Sequence, residues 1–486
     1  MDRDFDTSSS REEGCKAHGK VTRCHLGTPT ASSALEAMKK TLLILVWWAL
    51  PGPAQDSLSP KDAVRHALAA NKSMAVSTAD WNAAARRVVE ARSGNLPKVN
   101  YSESWARSDN PVFVFSSLLA QHQFGEQNFQ VGPLNRPDSL NNFQSQLTAD
   151  QALYDAGQTR QAVRSAELAK DIAKEDGRRT QMAVIASVIR AYYDVLLGAE
   201  QLNATNQAMR SAETDLDRAE SVRNTGMSTD VDMLSIRVHL ANVRERQIRS
   251  GADLDVARAA LNDALGLPLD TAHTLSAALT PLQLPERVLA DYEKNALSER
   301  PEARQVKLAT GLAANQAAAA RSSLLPQVGV HAAFEADRQR FYDKGGANWL
   351  VSIGLHWNLF NGFSDKARIE ESRFALSRSE AEQERAGSAI RLQVRRAYAD
   401  LRAAGQRIEV AKASVAEAEE SLRITQNRYE AGMSNVTDLL RTETAVLEAR
   451  TRRLSAIHDQ RIAAAMLELA EGTLTVDSEI LNEGSR

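Results

Sequence analysis

The fold is decided by residues 388–440, SAIRLQVRRAYADLRAAGQRIEVAKASVAEAEESLRITQNRYEAGMSNVTDLL. Apolar and small residues recur there at alternating steps of four and three, which is typical of a helix packed lengthwise against other helices. The members of this seam are Ile390, Val394, Ala397, Leu401, Ala404, Ile408, Ala411, Val415, Ala418, Leu422, Thr425 and Tyr429. Gly432 ends the seam, and Leu440, Leu447 and Leu454 start a second one. The stretch therefore predicts a long helical hairpin.

The same hairpin occurs earlier in the chain, at an offset of 206 residues (432 − 226). The turn Gly226–Met227–Ser228 corresponds to Gly432–Met433–Ser434, and Asp232 corresponds to Asp438. The earlier seam consists of Val184, Val188, Ala191, Val195, Gly198, Leu202, Thr205, Met209, Ala212, Leu216 and Ala219. The chain is therefore predicted to be a tandem duplication, with one body built from two similar halves.

The duplication sets the expected domain boundaries. We predict a disordered or wrongly assigned leader at 1–37, a signal peptide at 38–54, a first repeat (helix, two strands, long hairpin) at 55–266, a linker at 267–286, a second repeat at 287–472 and a flexible C-terminal tail at 473–486. The expected fold class is mainly α with a small β part.

The proposed signal peptide follows the secretory pattern. Met38–Lys39–Lys40 precedes ten apolar residues at 41–50, and Gly52–Pro53–Ala54 follows them. We expect translation to start at Met38 and cleavage after Ala54; the alternative is a cytoplasmic tail ahead of a single anchor. The two cysteines, Cys15 and Cys24, precede this segment, so the mature chain offers no disulfide framework.

Within each repeat, shorter elements precede the long hairpin. The first helix is expected to run from a Ser59 cap to about Arg92. Residues 106–140 are expected to form a long exposed loop that contains a short helix around 116–123. The predicted strands cover about 99–105, 143–153, 328–336 and 349–360.

The last strand has two unlike faces. Its apolar face holds Trp349, Val351, Ile353, Leu355, Trp357 and Leu359, whereas Ser352, Gly354, His356 and Asn358 alternate with them. Such a face, with tryptophan near both ends, fits a lipid-facing strand of a membrane barrel, although a half-buried strand of a soluble sheet alternates in the same way. Because four strands cannot close a barrel, the membrane interpretation requires other subunits to cover the open edges.

Several functional classes have no support in the sequence. The net charge of −3 gives no basic footprint for nucleic acid. No phosphate-binding loop, nucleophile elbow or cluster of metal-ligating residues is evident, and the nine histidines are scattered. We therefore predict neither an enzyme nor a cofactor.

Five motifs resemble the TolC family of outer-membrane efflux proteins. They are Leu58–Val64 at the first helix start, Arg300–Pro301–Glu302, Leu325–Val328 before a strand, Leu359–Phe363 before the long helix and Arg428–Ser434 at the turn. Each motif alone is modest, but their order and spacing are specific, and with the duplication the match covers residues 57–472.

The resemblance implies a homotrimer in the outer membrane. Each chain would contribute four strands to a twelve-stranded barrel and two hairpins to a periplasmic α-barrel. The implied function is the passive exit duct of a tripartite efflux or type I secretion system, working with a periplasmic adaptor and an inner-membrane pump of RND, ABC or MFS type. The alternatives are a non-conducting, envelope-spanning coiled-coil protein and an adaptor, although adaptors carry lipoyl-like segments that are missing here. The substrate stays open.

The resemblance also suggests roles for the hairpin ends. Gly226–Met227–Ser228 and Gly432–Met433–Ser434 would dock the adaptor, although the glycines also serve simply to stop helices. Asp438 would line the periplasmic entrance as a ring of three carboxylates, unless it and Asp232 only stabilise helix N-termini. Arg441 replaces a second acid that some family members carry, so an Asp438–Arg441 ion pair is also expected.

Aromatic residues complete the set of candidates. Tyr429 ends the seam beside the entrance, where helix packing is a more common role than gating. Trp349 and Trp357 are predicted to anchor the barrel at the lipid interfaces, and Trp105 is expected to have the same role.

Overall fold

The computed structural model describes residues 57–224, 229–283 and 287–482. The predicted leader and signal peptide and the first tip, Gly226–Met227–Ser228, lie outside these residues. The helices are α1 (Pro60–Ala70), α2 (Lys72–Arg92), α3 (Pro111–Ala120), α4 (Val131–Asn135), α5 (Gln158–Asn224), α6 (Asp230–Leu265), α7 (Leu289–Glu299), α8 (Pro301–Ser322), α9 (Ser364–Glu430) and α10 (Val436–Glu471). The strands are β1 (Lys98–Ser108), β2 (Leu140–Tyr154), β3 (Gln327–Arg338) and β4 (Gly346–His356).

The two long hairpins repeat each other in length and spacing. Helices α5 and α9 have 67 residues each, so each is about 100 Å long at 1.5 Å per residue. Helices α6 and α10 have 36 residues each. Both pairs start 206 residues apart (364 − 158 and 436 − 230). The predicted hairpins and their offset are therefore confirmed.

The predicted seam faces the partner helices. In α9, the buried residues are Ile390, Val394, Ala404, Ile408, Ala411 and Val415. In α5, the seam residues Val184, Val188, Ala191, Val195, Gly198, Thr205, Ala212 and Ala219 are buried. Gly198 marks a close approach, because a Cβ there would already be in van der Waals contact, at 3.4 Å, with the backbone of Leu254 in α6. Small residues thus let the helices of the first hairpin pack closely.

The predicted first helix is wrong in one respect, because it breaks into α1 and α2 at Asn71. The Asn71 backbone is extended, and its side chain accepts a hydrogen bond from Ser73 N at 2.8 Å. The same side chain donates to Ala264 O of α6 at 2.9 Å. Asn71 therefore caps α2 and joins it to the first hairpin, a contact that the local sequence does not encode. The Ser59 cap of α1 is confirmed.

The four strands form one antiparallel sheet in the order β1-β2-β3-β4. Through the register of the pairs, one face collects the exposed apolar side chains Val99, Tyr101, Trp105, Leu147, Phe334, Trp349, Val351, Ile353 and Leu355. The other face carries Asn100, Ser102, Gln144, Gln146, Thr148, His331, Glu335, Asn348 and Ser352. Strand β4 ends at His356, so Trp357, Leu359 and Phe360 lie beyond the strand that was predicted to include them.

The connection between β1 and β2 was predicted to be an exposed loop with a short helix. The helix is present, but the connection folds against the sheet. Helix α3 begins at an Asn110 cap and buries Val114 and Ser117. The Gln121 side chain, just after α3, donates to Asn142 Oδ1 at 2.8 Å. Asn142 in turn donates to Asp337 of β3 at 2.7 Å. These long-range hydrogen bonds hold the connection on the polar face.

One apolar cluster unites both repeats where α1, α5, α6 and α10 meet. At its centre, the Tyr192 hydroxyl donates to Leu58 O at 2.8 Å. The 18-residue window of α5 with a mean hydropathy of 1.5 would be apolar enough to cross a bilayer, but 61% of it is buried inside the fold. This part of α5 therefore serves as the core of the helical body.

Two segments predicted as linker and tail are parts of this core. Leu275, Ala277 and Leu279 of the linker pack on the cluster, and Leu275 forms a backbone bridge with Leu58. After Gly472, Leu474, Ile480 and Leu481 are exposed by only 1–2%. Residues 473–482 are therefore not a flexible tail, because their apolar side chains fill the space between the repeats.

Candidate functional site

The turn between α9 and α10 is a glycine-stopped helix end. Gly432 has a φ of +70°, in the left-handed region that favours glycine. Met433 N donates to Arg428 O at 2.8 Å, and this bond satisfies a carbonyl left free by the helix end. The side chain of Met433 is 66% exposed, while Ser434 is half-buried. The second tip therefore presents a fixed backbone turn with an exposed apolar side chain.

Asp438 and Arg441 lie together in the first turns of α10. Asn435 caps α10, because its Oδ1 accepts a hydrogen bond from Asp438 N at 2.8 Å. Arg441 Nη2 lies 3.7 Å from Asp438 Oδ1. The expected ion pair is present, but it is exposed, so it contributes little to stability.

Asp232 has a role in capping. Thr229 is the N-cap of α6, and the Thr229 hydroxyl donates to Asp232 Oδ2 at 2.7 Å while Asp232 N donates to Thr229 Oγ1 at 3.2 Å. Thr229 N also donates to Asp232 at 3.2 Å, which completes a capping box. This arrangement matches the helix-end alternative for Asp232.

Tyr429 joins the two hairpins near the tips. It packs on a small cluster that contains Ala219 of α5, Ile236 of α6 and Val436 of α10. Burial, followed by the nearby carboxylate of Asp232, raises the pKa of the Tyr429 hydroxyl. One residue further on, Glu430 Oε1 lies 3.0 Å from Arg218 Nη1 of α5. The contacts at the end of α9 therefore connect the second hairpin to the first.

A cluster of ionisable side chains that the sequence analysis missed lies next to these contacts, farther from the tip. Asp215 of α5 and Glu443 of α10 are both buried, and His239 Nε2 of α6 lies 3.4 Å from Glu443 Oε2. The sequence did contain a signal: Glu443 lies three residues after Leu440 and four before Leu447, on the apolar seam. In the described part of the chain, no set of three or more metal-ligating side chains is arranged to hold an ion.

Two of the three candidate tryptophans, Trp105 and Trp349, lie on the apolar side of the sheet. Trp105 and Trp349 lie towards the end that carries α3, and the Trp105 ring is 6.3 Å from Phe143. Trp357 lies at the opposite end, where its Nε1 donates to Leu324 O at 3.0 Å. Trp105 and Trp349 thus mark one end of the apolar face, and Trp357 follows the other end. Their role as interface anchors stays a prediction.

Comparison with known proteins agrees with this architecture. The family described as "Outer membrane efflux protein" matches residues 63–267 and 293–473. The chain belongs to this family of outer membrane efflux proteins. Among its relatives, protein CyaE of Bordetella pertussis is 28% identical over 353 residues, which are 70% of this chain and 74% of that protein. The pyoverdine export outer membrane protein OpmQ of Pseudomonas putida is 25% identical and covers 92% of this chain and 90% of its own length.

Solved structures show the same fold. The Campylobacter jejuni CmeC outer membrane channel superposes with a TM-score of 0.73 at 15% identity, covering 87% of each chain. This efflux protein is therefore an outer-membrane exit duct, with its sheet in a membrane β-barrel and a large helical part in the periplasm. The family consists of channel and transport proteins. The second tip follows the end of α9, whereas the sheet precedes the start of that helix, so this tip and the sheet lie at opposite ends of α9.

The two faces of the sheet should respond differently to charge. Ile353→Lys places a cation on the lipid-facing side, where Ile353 is 71% exposed, and we expect a loss of about 2–4 kcal/mol in barrel stability. Ser352→Lys is the matched control on the polar face and should have little effect. Heat-modifiable mobility of the folded protein on gels measures the loss. Equal losses in both variants would contradict the assignment of the faces.

Proposed function

We propose that three copies of this efflux protein form one continuous duct. Within the described residues, β1 and β4 each pair with one neighbour only, so both sheet edges are open. Unpaired backbone groups are not tolerated in lipid, and four strands cannot close a barrel around a channel. Three chains complete a twelve-stranded barrel in which the polar faces line the lumen. The open edges of the sheet are the observation that supports assembly into a trimer.

The proposed duct receives its cargo from a periplasmic adaptor and an inner-membrane pump. Both tips, Gly226–Met227–Ser228 and Gly432–Met433–Ser434, are the proposed adaptor-docking residues. Exposed Met433 on a fixed turn supports this role, because a rigid apolar anchor binds at a low entropic cost. Pumps of RND, ABC or MFS type are all candidates, and so are small molecules and secreted proteins as cargo.

The first experiment determines assembly. The expressed protein is located by membrane fractionation. The molecular mass of the detergent-extracted species is then determined, and its N-terminus is sequenced. We expect an outer-membrane trimer that begins near Gln55 and conducts ions in a planar bilayer. A monomer would overturn the trimer, and a trimer without conductance would favour the coiled-coil spacer.

Charge at the periplasmic entrance is proposed to control cation passage. Three copies of Asp438 would attract cations there, while the positive charge of each Arg441 partly cancels the negative charge of the Asp438 beside it. Arg441→Ala should therefore increase cation selectivity and divalent block by about fivefold, the factor given by ~1 kcal/mol of charge interaction in water. Asp438→Asn should reduce both quantities. They are measured from reversal potentials and block curves in planar bilayers.

The control for this prediction is Asp232→Asn, which changes the corresponding acid of the first repeat. Its carboxylate bonds to Thr229, so we expect a weakened cap of α6 with unchanged ion selectivity. Unaltered conductance and block in Asp438→Asn would exclude the carboxylate ring.

A further inference from the structure

The buried acids Asp215 and Glu443 lie on different hairpins. Asp215 and Ser211 belong to α5, and Glu443 belongs to α10, about 10 Å along the axis from the first residue of that helix. Asp215 is 8% exposed, and the side chain of Glu443 is also 8% exposed. Ser211 Oγ donates to Glu443 Oε1 at 3.3 Å. The pair therefore spans the interface that must part if the second hairpin moves away from the first.

The hydrogen bonding of the pair is incomplete without a proton. Asp215 Oδ2 and Glu443 Oε2 are both buried and make no hydrogen bond, although His239 Nε2 lies 3.4 Å from Glu443 Oε2. Asp215 lies one helical turn from Ser211 on α5, and Ser211 bonds to Glu443, so the two buried carboxyls face each other between the hairpins. Two carboxylates brought together in this way cannot both ionise at low cost. A proton held between them removes one charge and supplies the bond that the oxygens lack. The pair therefore needs one proton in this conformation.

The surrounding charges do not replace that proton. From α6, His239 faces Glu443, and Arg246 lines the same cavity of about 380 Å³. From α9 and α10, Glu419 and Arg450 approach the region but form their own ion pair at 2.7 Å. Nearer the tip, Arg218 of α5 pairs with Glu430 of α9. Burial, together with Arg246, lowers the pKa of His239, so the imidazole is neutral near pH 7.

We propose that Asp215 and Glu443 share a proton that latches the second hairpin to the first, so that loss of this proton favours opening of the periplasmic entrance. The proposal rests on the proposed duct, whose entrance lies at the tips. The shared proton is a bond between hairpins in the closed state. In an open state, both carboxyls reach water, which satisfies their oxygens without a shared proton.

The sign of the pH effect follows from the pKa of Glu443. Burial, and then Asp215, raise this pKa from 4.5 to about 8 in the closed state. Hydration on opening returns it towards 4.5, so the closed state binds more protons between these values. Raising the pH therefore favours opening, by up to about tenfold per pH unit and protomer. His239 acts in the opposite direction below its ordinary pKa of 6.5, which leaves pH 6.5–8 as the clear window.

The test measures hairpin separation and conductance on the full-length trimer from pH 6.5 to 8.5. Spin labels are placed by Arg218→Cys and Glu430→Cys, whose native side chains are 3.0 Å apart, and the distance between them is measured in frozen samples. We expect a longer-distance population and a larger conductance as the pH rises. Glu443→Gln carries no titrating proton and should stay closed across the range. Asp215→Asn should flatten the response as well.

Glu448→Gln is the matched control, because Glu448 lies on the same helix, exposed and 3.6 Å from Arg452. It should keep the wild-type response to pH. A label distance that does not change with pH in the wild-type background, or that changes equally in Glu443→Gln, overturns the latch. A pH-dependent distance without any change in conductance supports the latch but contradicts the proposal that the entrance of the duct lies at the tips.

Discussion

Replacement of Gly432 by glutamate is expected to abolish export while the amount of folded protein in the outer membrane stays normal. The left-handed φ of +70° costs a residue with a side chain about 1–2 kcal/mol, which is small for a protein of this size. No atom lies within 4 Å of the position a Cβ would take, so the side chain causes no clash. Its charge would instead stand at the proposed docking surface beside Met433.

The expected magnitude is that of a binding hot spot. Loss of about 2 kcal/mol in adaptor binding corresponds to roughly 30-fold weaker affinity. Export of the native cargo is measured in a deletion strain that is complemented with each variant, and adaptor binding is measured with the purified trimer. Both readouts should fall together.

Gly432→Asn is the control that separates strain from docking. Asparagine tolerates the left-handed conformation better than most residues and adds no charge. We therefore expect near-normal export from this variant. If the glutamate variant exports normally, the tip does not dock; if both variants lose the trimer, Gly432 only ends the helix.

The second large effect is expected at the C-terminal segment. Leu474→Ala, Ile480→Ala and Leu481→Ala each remove a side chain that is at most 2% exposed. Such truncations cost about 2–5 kcal/mol each, and their sum is not strictly additive because the three side chains share one cluster. The combined variant is therefore expected to lose most of the stability of the helical body. The melting temperature of the detergent-extracted protein measures this loss.

Asp477→Ala provides the comparison within the same segment. Its side chain is 82% exposed and pairs with Lys61 at 2.7 Å, so its loss should change the stability by no more than about 0.5–1 kcal/mol. Equal melting temperatures for the triple variant and the wild type would show that residues 473–482 are dispensable for the core.

Prediction succeeded where a pattern repeats over many turns. About eleven turns of α9, at 3.6 residues per turn, carry a 4-3 seam, so local errors average out. Gly432 and Gly472 end their helices with φ values of +70° and +85°. It failed where one distant contact decides the structure. Asn71 breaks a helix through a bond to Ala264, and Gln121 holds its segment on the sheet through Asn142.

The candidate site shows the same division. The turn at Gly432 and the pair of Asp438 and Arg441 could be predicted, because residues three apart on a helix are neighbours. The contact between Asp215 and Glu443 could not be predicted, because 228 residues separate them (443 − 215). No local pattern in either hairpin indicates which residue of the other hairpin it will contact.

By itself, the sequence determined the duplication, the two hairpins with their lengths, the number of strands and the two faces of the sheet. These features follow from periodicity and from glycine stops, which act between near neighbours. Only the tertiary structure decided that the linker and the C-terminal segment complete the core, that the β1–β2 connection folds onto the sheet, and that two acids meet between the hairpins. Those features depend on which surfaces come together, and burial acts on that three-dimensional arrangement rather than on order along the chain.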